Sequence, residues 1–360
     1  MSMLEDQKYI LKEILQIIDE NKVEGVWIAG DVYDKSIPPL EAVRLWDEFL
    51  TKLADRKLPV FVISGNHDSA ERLAFGAHIF DSHKIYISPV FEDTVKPVIV
   101  NDEYGEIAVY LLPFVKPSTV RHVYPEETIE SYQDALDVAI RHMEVDPARR
   151  NVLLAHQFVT GSEKCDSEEI SVGGVDNIAV DTFDPFDYVA LGHLHGPQQA
   201  GRETVRYCGT PLKYSFSECR HKKAALIVDM GPKGEIELHP IPLHAIRDFR
   251  EIRGTYMEVT AKDFYQDTNT RDYMHITLTD EEDIPDAVGK LRTIYPNLMR
   301  LDYDNKRTRE GREFHLEERV EEKSPLELLM EFYELQNNQE MSEEQKEMSQ
   351  QLIEKIWEDR

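Results

Sequence analysis

Four short apolar runs in this sequence each stop abruptly at a polar residue that can bind a metal ion. The runs and the residues that follow them are 26–30 with Asp31, 58–65 with Asn66, His67 and Asp68, 151–155 with His156, and 188–192 with His193 and then His195. Continuous apolar, β-branched residues predict strands buried on both faces of a sheet. If the four runs are parallel neighbours, their carboxyl ends meet at one edge of one sheet, and the sequence predicts a metal site there.

Length and cysteine usage narrow the class of protein. At 360 residues the chain is long enough for one domain of about 250 residues and one or two smaller ones. Cys165, Cys208 and Cys219 lack CxxC spacing, so neither a disulfide framework nor a thiolate zinc site is indicated, and a reducing cytoplasm fits best. Because no apolar run approaches about 18 residues and the N-terminus lacks the regions of a signal peptide, we expect no membrane association.

The charge of the chain limits how it can meet nucleic acid. Its 69 acidic residues against 41 lysines and arginines give a formal net charge of −28. Such a chain cannot bind DNA mainly by nonspecific neutralisation of phosphates. Metal ions, local basic spots such as 220–223 and a partner would have to supply the affinity.

The remaining periodicities predict three regions. Helices are predicted at 4–20, 41–56, 69–80 and 129–143, a polar loop at 161–177, strands at 205–215 and 224–230, and a hairpin turn at 231–234. The helix at 41–56 is apolar enough that core packing is the favoured interpretation and a subunit interface the second. Strands at 256–260 and 274–278 with a helix at 284–294 predict a small α+β module, and Ser324-Pro325 with Ser342-Glu-Glu-Gln345 predict a helical hairpin. The predicted domains are 1–243, 244–316 and 317–360.

The types of the candidate ligands indicate the chemistry. Aspartate, asparagine and neutral imidazoles without thiolate suit manganese or iron better than structural zinc. Several such ligands in one site suggest two ions, which at about 3.5–4 Å apart polarise a phosphoryl oxygen and lower the pKa of a water molecule. Phosphoester hydrolysis is therefore the predicted reaction class.

The motifs also resemble a known family. Gly-Asp-Val-Tyr-Asp34, Gly-Asn-His-Asp68, His156 and Gly-His-Leu-His195 resemble the calcineurin-like metallophosphoesterases. Residues 65–73, 171–174, 192–197 and 209–218 further resemble the SbcD family, the nuclease subunits of the bacterial SbcC–SbcD double-strand-break repair complex. The resemblance implies an α/β metallophosphoesterase sandwich with a small α+β capping domain and a C-terminal helical hairpin.

The resemblance assigns roles to individual residues. It implies that Asp31 bridges two divalent ions, with Mn²⁺ the favoured metal, that Asn66, His156 and His193 complete the second site, and that His195 binds the first ion. His67 would contact the scissile phosphate and stabilise charge or protonate the leaving oxygen, with Asp34 orienting its imidazole. For Asp34 a turn-forming or helix-capping role remains an alternative. For Asp68, capping of the following helix and a role in the site are equally favoured.

The resemblance also implies a function and partners. It indicates a metal-dependent exonuclease and endonuclease subunit that hydrolyses phosphodiester bonds at DNA ends in repair and recombination. Its C-terminal helices would dock on the ATPase SbcC through an apolar stripe of Met348, Leu352, Ile353, Ile356 and Trp357. Homodimerisation within a heterotetramer, through helices such as 41–56, is implied as well.

One family feature is absent from this sequence. The family's Asp-x-His motif at the end of its first strand does not occur near the N-terminus, and Asp81-Ser-His83 has the pattern in the wrong place, so we interpret it as surface. The first ion then keeps two ligands, Asp31 and His195, and we expect the chain as written to be inactive or impaired because of a late start codon or a shortened chain. A small-molecule phosphodiesterase of the same superfamily and a non-catalytic scaffold subunit are the alternatives.

Overall fold

The computed structural model describes residues 2–163, 165, 177–306, 308, 326, 329–330, 332–333 and 341–358, and it divides the chain into two compact units. The units are Met1–Arg250 and Glu251–Arg360. The sequence placed a boundary after Leu243 instead. Residues just beyond that point belong to the first unit because the Arg247 guanidinium binds the buried Asp6 carboxylate at 2.7–3.0 Å.

The first unit contains one parallel sheet and one mixed sheet. One has the strand order β1 (Val26–Ala29), β2 (Val60–Ile63) and β3 (Ile85–Ile87). The other has the order β10 (Gln198–Ala200), β11 (Arg202–Tyr207), β9 (Tyr188–Gly192), β6 (Arg150–His156), β5 (Gly105–Leu111) and β4 (Val98–Asp102), with its inner four strands parallel. Two further pairs complete the unit: β7 (Phe158–Val159) with β8 (Asn177–Ile178), and β12 (Ala224–Met230) with β13 (Ile236–Pro242).

The two sheets pack face to face between layers of helices. Apolar side chains of β2, β5, β6 and β9 form the core between the sheets, where the rings of Trp27 and Tyr188 stack at 5.5 Å. Helices α1 (Leu4–Glu20) and α2 (Leu40–Asp55) pack on the outer face of the three-stranded sheet. Helices α5 (Pro117–Val123) and α6 (Tyr132–Arg141) contribute to the core on the outer face of the six-stranded sheet. The α/β sandwich predicted from the sequence is therefore confirmed.

The structure corrects one feature of that prediction. The four ligand-bearing runs do not lie in one sheet, because the first two form β1 and β2 and the last two form β6 and β9 of the second sheet. Their carboxyl ends nevertheless meet, since β1 packs against β6 and β9 and the Ala29 carbonyl accepts a hydrogen bond from the His156 ring at 2.7 Å. A site between two sheets fixes its ligands from both sides.

Two helix predictions in the first unit change in detail. The predicted helix at 69–80 is two short helices, α3 (Ala70–Leu73) and α4 (Ala77–Phe80), because Gly76 adopts φ +81° and interrupts it. Asp81–His83 forms an exposed 3₁₀ turn after α4, which confirms the surface interpretation of that Asp-x-His sequence. In α2, Phe49, Leu50 and Leu53 are buried, as core packing predicts, whereas Leu40 and Val43 near its start are exposed.

The second unit is built on a three-stranded sheet. Its strands are β14 (Phe249–Gly254), β15 (Tyr273–Leu278) and β16 (Leu298–Tyr303). Helices with defined bounds among its described residues are α7 (Tyr256–Val259), α8 (Lys262–Tyr265), α9 (Ala287–Arg292) and the helix Glu343–Glu358. The predicted strand at 256–260 is wrong. Thr255 and Glu258 form a reciprocal capping box that starts a helix there.

Parts of the predicted loop and tail lie outside the described residues. These are residues 164 and 166–176, which include 171–174, and most of the first arm of the predicted hairpin, including 309–325. The second arm is described as the helix Glu343–Glu358. The Ser342 hydroxyl accepts from the Gln345 amide and Gln345 Oε1 accepts from the Ser342 amide, so the predicted capping box is present.

Candidate metal centre

Two loops at the ends of β1 and β2 are joined by the carboxylate of Asp68. Its oxygens accept hydrogen bonds from the backbone N–H groups of Val32 at 3.1 Å, Tyr33 at 2.9 Å and Gly65 at 2.9 Å. Burial raises the pKa of Asp68, and its three amide hydrogen bonds only partly offset this. Asp68 therefore fixes the segment after β1 against the segment after β2.

The alternative role proposed for Asp68, capping the following helix, is wrong. The Ser69 hydroxyl, and not the Asp68 carboxylate, accepts a hydrogen bond from the Arg72 amide at the start of α3. The carboxylate of Asp68 points toward the two loops and not toward the start of α3.

Glycines let the backbones at this site approach each other closely. A Cβ atom on Gly65 would lie 2.1 Å from Asp31 Oδ1, and one on Gly30 would lie 2.5 Å from His156 Nδ1. A Cβ on Gly192 would lie 1.7 Å from the Ala29 carbonyl oxygen. Each glycine follows or ends one of the apolar runs, so the Gly-Asp, Gly-Asn and Gly-His pairs of the sequence have a direct steric cause.

The ring of His156 is held with one nitrogen directed at the site. Its Nδ1 lies 2.7 Å from the Ala29 carbonyl oxygen, which can only accept, so Nδ1 carries a proton. In the neutral ring Nε2 then presents a lone pair, and it lies 3.0 Å from Asn66 Oδ1 and 3.1 Å from Asp31 Oδ2. Three acceptor lone pairs converge at one point, an arrangement that requires a cation or a proton between them.

His193 completes the group of four predicted ligands. Its Nδ1 lies 3.1 Å from the same Asn66 Oδ1, and ligand atoms of Asp31, His156 and His193 all lie within 4.8 Å of one another. Two ligands at right angles on one ion, with bonds of about 2.1 Å, lie about 3 Å apart. The spacing and the oxygen and nitrogen donors of these four residues therefore fit a divalent ion in octahedral coordination.

The pKa shifts of Asp31 and His156 also indicate a site that favours a positive charge. Burial raises the pKa of Asp31, but attraction by His156 and the hydrogen bonds of the site outweigh it, so this pKa lies below its ordinary value. Burial lowers the pKa of His156, which is 1 % exposed, but attraction by Asp31 together with the hydrogen bonds to Asp31 and the Ala29 carbonyl outweighs it, and the pKa is raised. A proton on His156 balances the same negative charge that a divalent ion would balance.

Two of the four predicted ligands have unusual backbone conformations. Asp31 has φ +49° and His193 has φ +97°, a region that residues other than glycine rarely adopt. Such strain persists only where the surrounding structure imposes it, and it clusters at functional sites. Both residues come directly after a strand-end glycine, so the strain aims their side chains toward the gap between the sheets.

His67 lies beside this group, with a different partner from the predicted one. Its backbone N–H donates to Asp31 Oδ1 at 3.0 Å, and its ring Nδ1 lies 3.1 Å from the Asp34 carbonyl oxygen. The prediction gave this role to the Asp34 carboxylate. The carbonyl takes it because Asp68 draws the backbone of the loop after Asp31 onto the loop that carries His67.

His195 is not part of the Asp31 group in this structure. Its Nδ1 lies 3.1 Å from Oε1 of Glu218, and its ligand atoms cluster with those of Cys165 and Glu218. The structure thus brings together Asp31, Asn66, His156 and His193, with His67 alongside, and places His195 in a neighbouring cluster.

Sequence reasoning missed Glu218 and misread Lys223. Glu218 closes the motif 209–218 that supported the family resemblance, but nothing in its spacing marked it as a partner of His195. Lys223 belonged to the basic spot expected to face DNA, yet it is 8 % exposed and binds Glu218 Oε2 at 2.6 Å. Arg220 and Lys222 are the exposed cations of that spot.

Strand-end oxygen and imidazole donors gathered between two packed sheets are the arrangement expected of a metal-dependent phosphoesterase. A family model described as calcineurin-like phosphoesterase matches residues 4–197, and the chain belongs to that family. A second model, described as the type 5 capsule protein repressor C-terminal domain, matches residues 245–337. The chain is similar to the SbcD subunit of nuclease SbcCD from Staphylococcus epidermidis (strain ATCC 12228 / FDA PCI 1200), with 34% identity over 303 residues, or 83% of this chain and 80% of the relative.

Membership of this family implies a divalent metal cofactor. The residues described in the structure include no helix with both the length and the apolar character needed to cross a bilayer.

Proposed function

We propose that this chain is the metal-dependent nuclease subunit of an SbcC–SbcD-type complex and that it hydrolyses phosphodiester bonds at DNA ends. The observation that carries the proposal is the position of His156 Nε2, which lies 3.0 Å from Asn66 Oδ1 and 3.1 Å from Asp31 Oδ2. Asp31, Asn66, His156 and His193 would hold one divalent ion, at the second of the two sites, and Asp31 and His195 would contribute to the first. The nitrogen and oxygen donors favour Mn²⁺.

The bound ions and the residues of the chain have different roles in the proposed reaction. Bound ions supply Lewis-acid polarisation of a phosphoryl oxygen and lower the pKa of a water molecule. The chain itself holds the ligand loops rigid through Asp68. It also fixes the His67 ring, whose Nδ1–H donates to the Asp34 carbonyl. In the imidazolium form, which carries a proton on both nitrogens, Nε2–H would donate to the phosphate or give its proton to the leaving oxygen.

The function is tested by incubating the purified chain and Mn²⁺ with a radiolabelled duplex end and, in parallel, with a nitrophenyl phosphodiester. We expect Mn²⁺-dependent cleavage of both that a chelator abolishes. The rates should be low, because Asp31 and His195 are two ligands where the family pattern supplies four. Cleavage of the nitrophenyl ester alone would indicate a small-molecule phosphodiesterase, and Mn²⁺ binding with no cleavage would indicate a scaffold.

His67→Gln provides the sharpest variant for this assay. We expect the remaining cleavage to fall about 10²–10⁴-fold, the usual contribution of a positioned acid or base, with Mn²⁺ binding unchanged. His83→Gln is the matched control, because His83 lies in the exposed turn after α4 and its ring contacts only the neighbouring Ser82 hydroxyl among the contacts described. Similar losses in both variants would contradict the role of His67.

DNA binding by the isolated chain should be weak. The net charge of −28 opposes it, and of the basic spot at 220–223 only Arg220 and Lys222 are exposed. Affinity comes from the bound ions, these two cations and the partner. Tight binding of long duplex at physiological salt would contradict this.

The partner is SbcC, contacted through the C-terminal residues 317–360. In the helix Glu343–Glu358, Met348 and Leu352 are 65 % and 52 % exposed, as an apolar docking stripe requires. The side chains of Ile356 and Trp357 lie outside the described residues. Burial against a partner is the expected role of such a stripe on an acidic helix.

Deletion of residues 320–360 should abolish co-purification with SbcC and leave Mn²⁺ binding unchanged. A double variant, Met348→Glu with Leu352→Glu, should act in the same direction. Glu347→Gln, on the same helix next to Met348, is the control and should retain SbcC. Full retention of SbcC by the deletion would exclude this docking site.

Homodimerisation rests on an exposed apolar patch formed by Ile37, Leu40, Phe75 and Ile79. These side chains are 70 %, 59 %, 84 % and 71 % exposed, and the Arg72 guanidinium holds the two segments together by binding the Ser36 carbonyl at 3.1 Å. Such a patch is typical of an interface and unusual on a monomer.

Phe75→Glu and Ile79→Glu should each convert a dimer to a monomer in light scattering. Met257→Glu, at a position 74 % exposed in the second unit, should leave the mass unchanged. A monomeric wild-type chain at micromolar concentration would contradict the patch as a dimer interface.

We further propose a cytoplasmic location, which accords with the three cysteines and their lack of metal or disulfide spacing.

A further inference from the structure

A buried ion pair lies directly behind His195. The Glu218 carboxylate is 0 % exposed, and the Lys223 ammonium binds its Oε2 at 2.6 Å. The other carboxylate oxygen, Oε1, lies 3.1 Å from His195 Nδ1 and also accepts from the Tyr214 amide at 3.1 Å. A buried charge is tolerated only when it is paired and hydrogen-bonded, and Glu218 meets both conditions.

Lys223 holds the backbone of His195 as well as Glu218. Besides Oε2 of Glu218, its ammonium donates to the His195 carbonyl oxygen and to Thr210 Oγ1, both at 2.8 Å. Three partners use all three donors of the ammonium. Lys223 thus ties the main chain of His195 to the carboxylate that contacts its ring.

The motif at 209–218 is shaped around the same residue. Gly209 has φ +81°, and a Cβ there would lie 2.6 Å from the His195 carbonyl oxygen. The Thr210 amide donates to that carbonyl at 3.2 Å. The segment that begins at Gly209 and ends at Glu218 therefore encloses His195 from its backbone to its ring.

The cluster is not itself a cation site. Ligand atoms of Cys165, His195 and Glu218 lie within 4.8 Å of one another, as the ligands of an ion would. However, both oxygens of Glu218 already accept hydrogen bonds, and a metal ion bound to Oε2 would share that oxygen with the Lys223 ammonium, which lies 2.6 Å from it. Like-charge repulsion in a buried site excludes that arrangement.

We propose that Glu218, held by Lys223, is a positioning residue that fixes the His195 ring with its proton on Nδ1, so that Nε2 is the atom presented to a divalent ion. A carboxylate can only accept, so the nitrogen 3.1 Å from it must be the donor. Histidine ligands of metals commonly donate their other N–H to a carboxylate in this way. The inference rests on the proposed metal-dependent function and adds two residues to its machinery.

The test combines a tautomer measurement with metal titration. In the metal-free chain, ¹⁵N NMR of labelled histidine, with His195 assigned by its loss in His195→Gln, should show a protonated Nδ1 and an unprotonated Nε2. Titration with Mn²⁺ of the wild type, His195→Gln and His156→Gln identifies which binding event depends on each histidine. In Glu218→Gln we expect the event that depends on His195 to weaken about 10–100-fold.

Glu218→Gln keeps the size of the side chain, but the new side chain cannot accept hydrogen bonds from both His195 and Lys223. Its single amide oxygen can accept from His195 or from Lys223, and its NH₂ group then faces the remaining donor. The tautomer population of His195 should shift, and the Mn²⁺ event that depends on His156 should not change. Asp102→Asn is the matched control, because Asp102 pairs with the buried Arg150 elsewhere in the same unit. It should lower stability without changing the His195 tautomer or Mn²⁺ binding.

Two results would overturn the proposal. One is a wild-type His195 protonated on Nε2, which needs no variant to fold. The other is a folded Glu218→Gln chain with an unchanged His195 tautomer and unchanged Mn²⁺ titration. If the wild type bound no divalent ion, the proposed function would fail, while the tautomer of the metal-free chain would still decide whether Glu218 positions His195.

Discussion

Asp31→Asn is expected to abolish Mn²⁺ binding at the site that Asp31 forms with Asn66, His156 and His193, lowering the affinity at least about 100-fold, while the fold is retained. Loss of a residue that only supports a ligand typically costs 10–100-fold, and Asp31 is itself a proposed ligand. The asparagine adds no backbone strain, because asparagine adopts a positive φ such as the +49° of Asp31 more readily than most residues. The change therefore tests metal binding and not folding.

The variant also removes the need for a cation. The amide oxygen of the introduced asparagine can still accept from the His67 amide, as Asp31 Oδ1 does at 3.0 Å. Its NH₂ group replaces Oδ2 and can donate to His156 Nε2, which lies 3.1 Å from Asp31 Oδ2. The lone pairs that converge in the wild type are then satisfied by the protein alone.

Thermal unfolding with and without Mn²⁺ measures this directly. At 100 times the dissociation constant, an ion that binds only the folded state adds about 2.7 kcal/mol of stability. We expect that increment in the wild type and in Asp81→Asn, whose residue lies in an exposed turn, and none in Asp31→Asn. An equal Mn²⁺-dependent increment in all three would show that Asp31 is not a ligand.

The sequence indicated this site because each ligand follows a run of apolar residues. A buried strand such as Val60–Ile63 is recognisable without knowledge of its neighbours, and the glycine that ends it marks where the polar group emerges. The apolar pattern does not show which strands pair with each other. The division of the four runs between two sheets depends on contacts such as that of Ala29 with His156, which are 127 residues apart and leave no local pattern.

The features that sequence reasoning missed are also long-range or depend on backbone atoms. Asp68 acts on the amides of Val32 and Tyr33, which any residue type would provide, so no side-chain pattern reveals it. Asp34 meets His67 through its carbonyl for the same reason. Lys223 looked like a surface cation because burial of a charge depends on its partner, and Glu218 was not recognised as one.

Gly192→Ala is the second change with a large expected effect, because Gly192 lies where the two sheets meet. It ends β9, pairs in register with His156, and faces the end of β1. A Cβ there would lie 1.7 Å from the Ala29 carbonyl oxygen and 2.5 Å from His156 Nδ1, the two atoms that form the 2.7 Å hydrogen bond. The nearer of these two atoms belongs to the backbone, so the two backbones must separate.

Overpacking of a well-packed interior typically costs about 1–3 kcal/mol, and this clash with backbone lies at or beyond the upper end. A loss of about 3 kcal/mol corresponds to a Tm lower by about 6–12 °C for a unit of this size. Because His156 loses the carbonyl that orients its ring, Mn²⁺ affinity should fall as well. Gly25→Ala is the control, since the nearest atoms to its Cβ lie 3.5 Å away and its backbone suits alanine. It should be neutral or slightly stabilising.

One result would contradict this prediction. If both variants unfolded at the wild-type temperature, β9 would not approach β1 as closely as described, and the metal site would not be assembled between the two sheets.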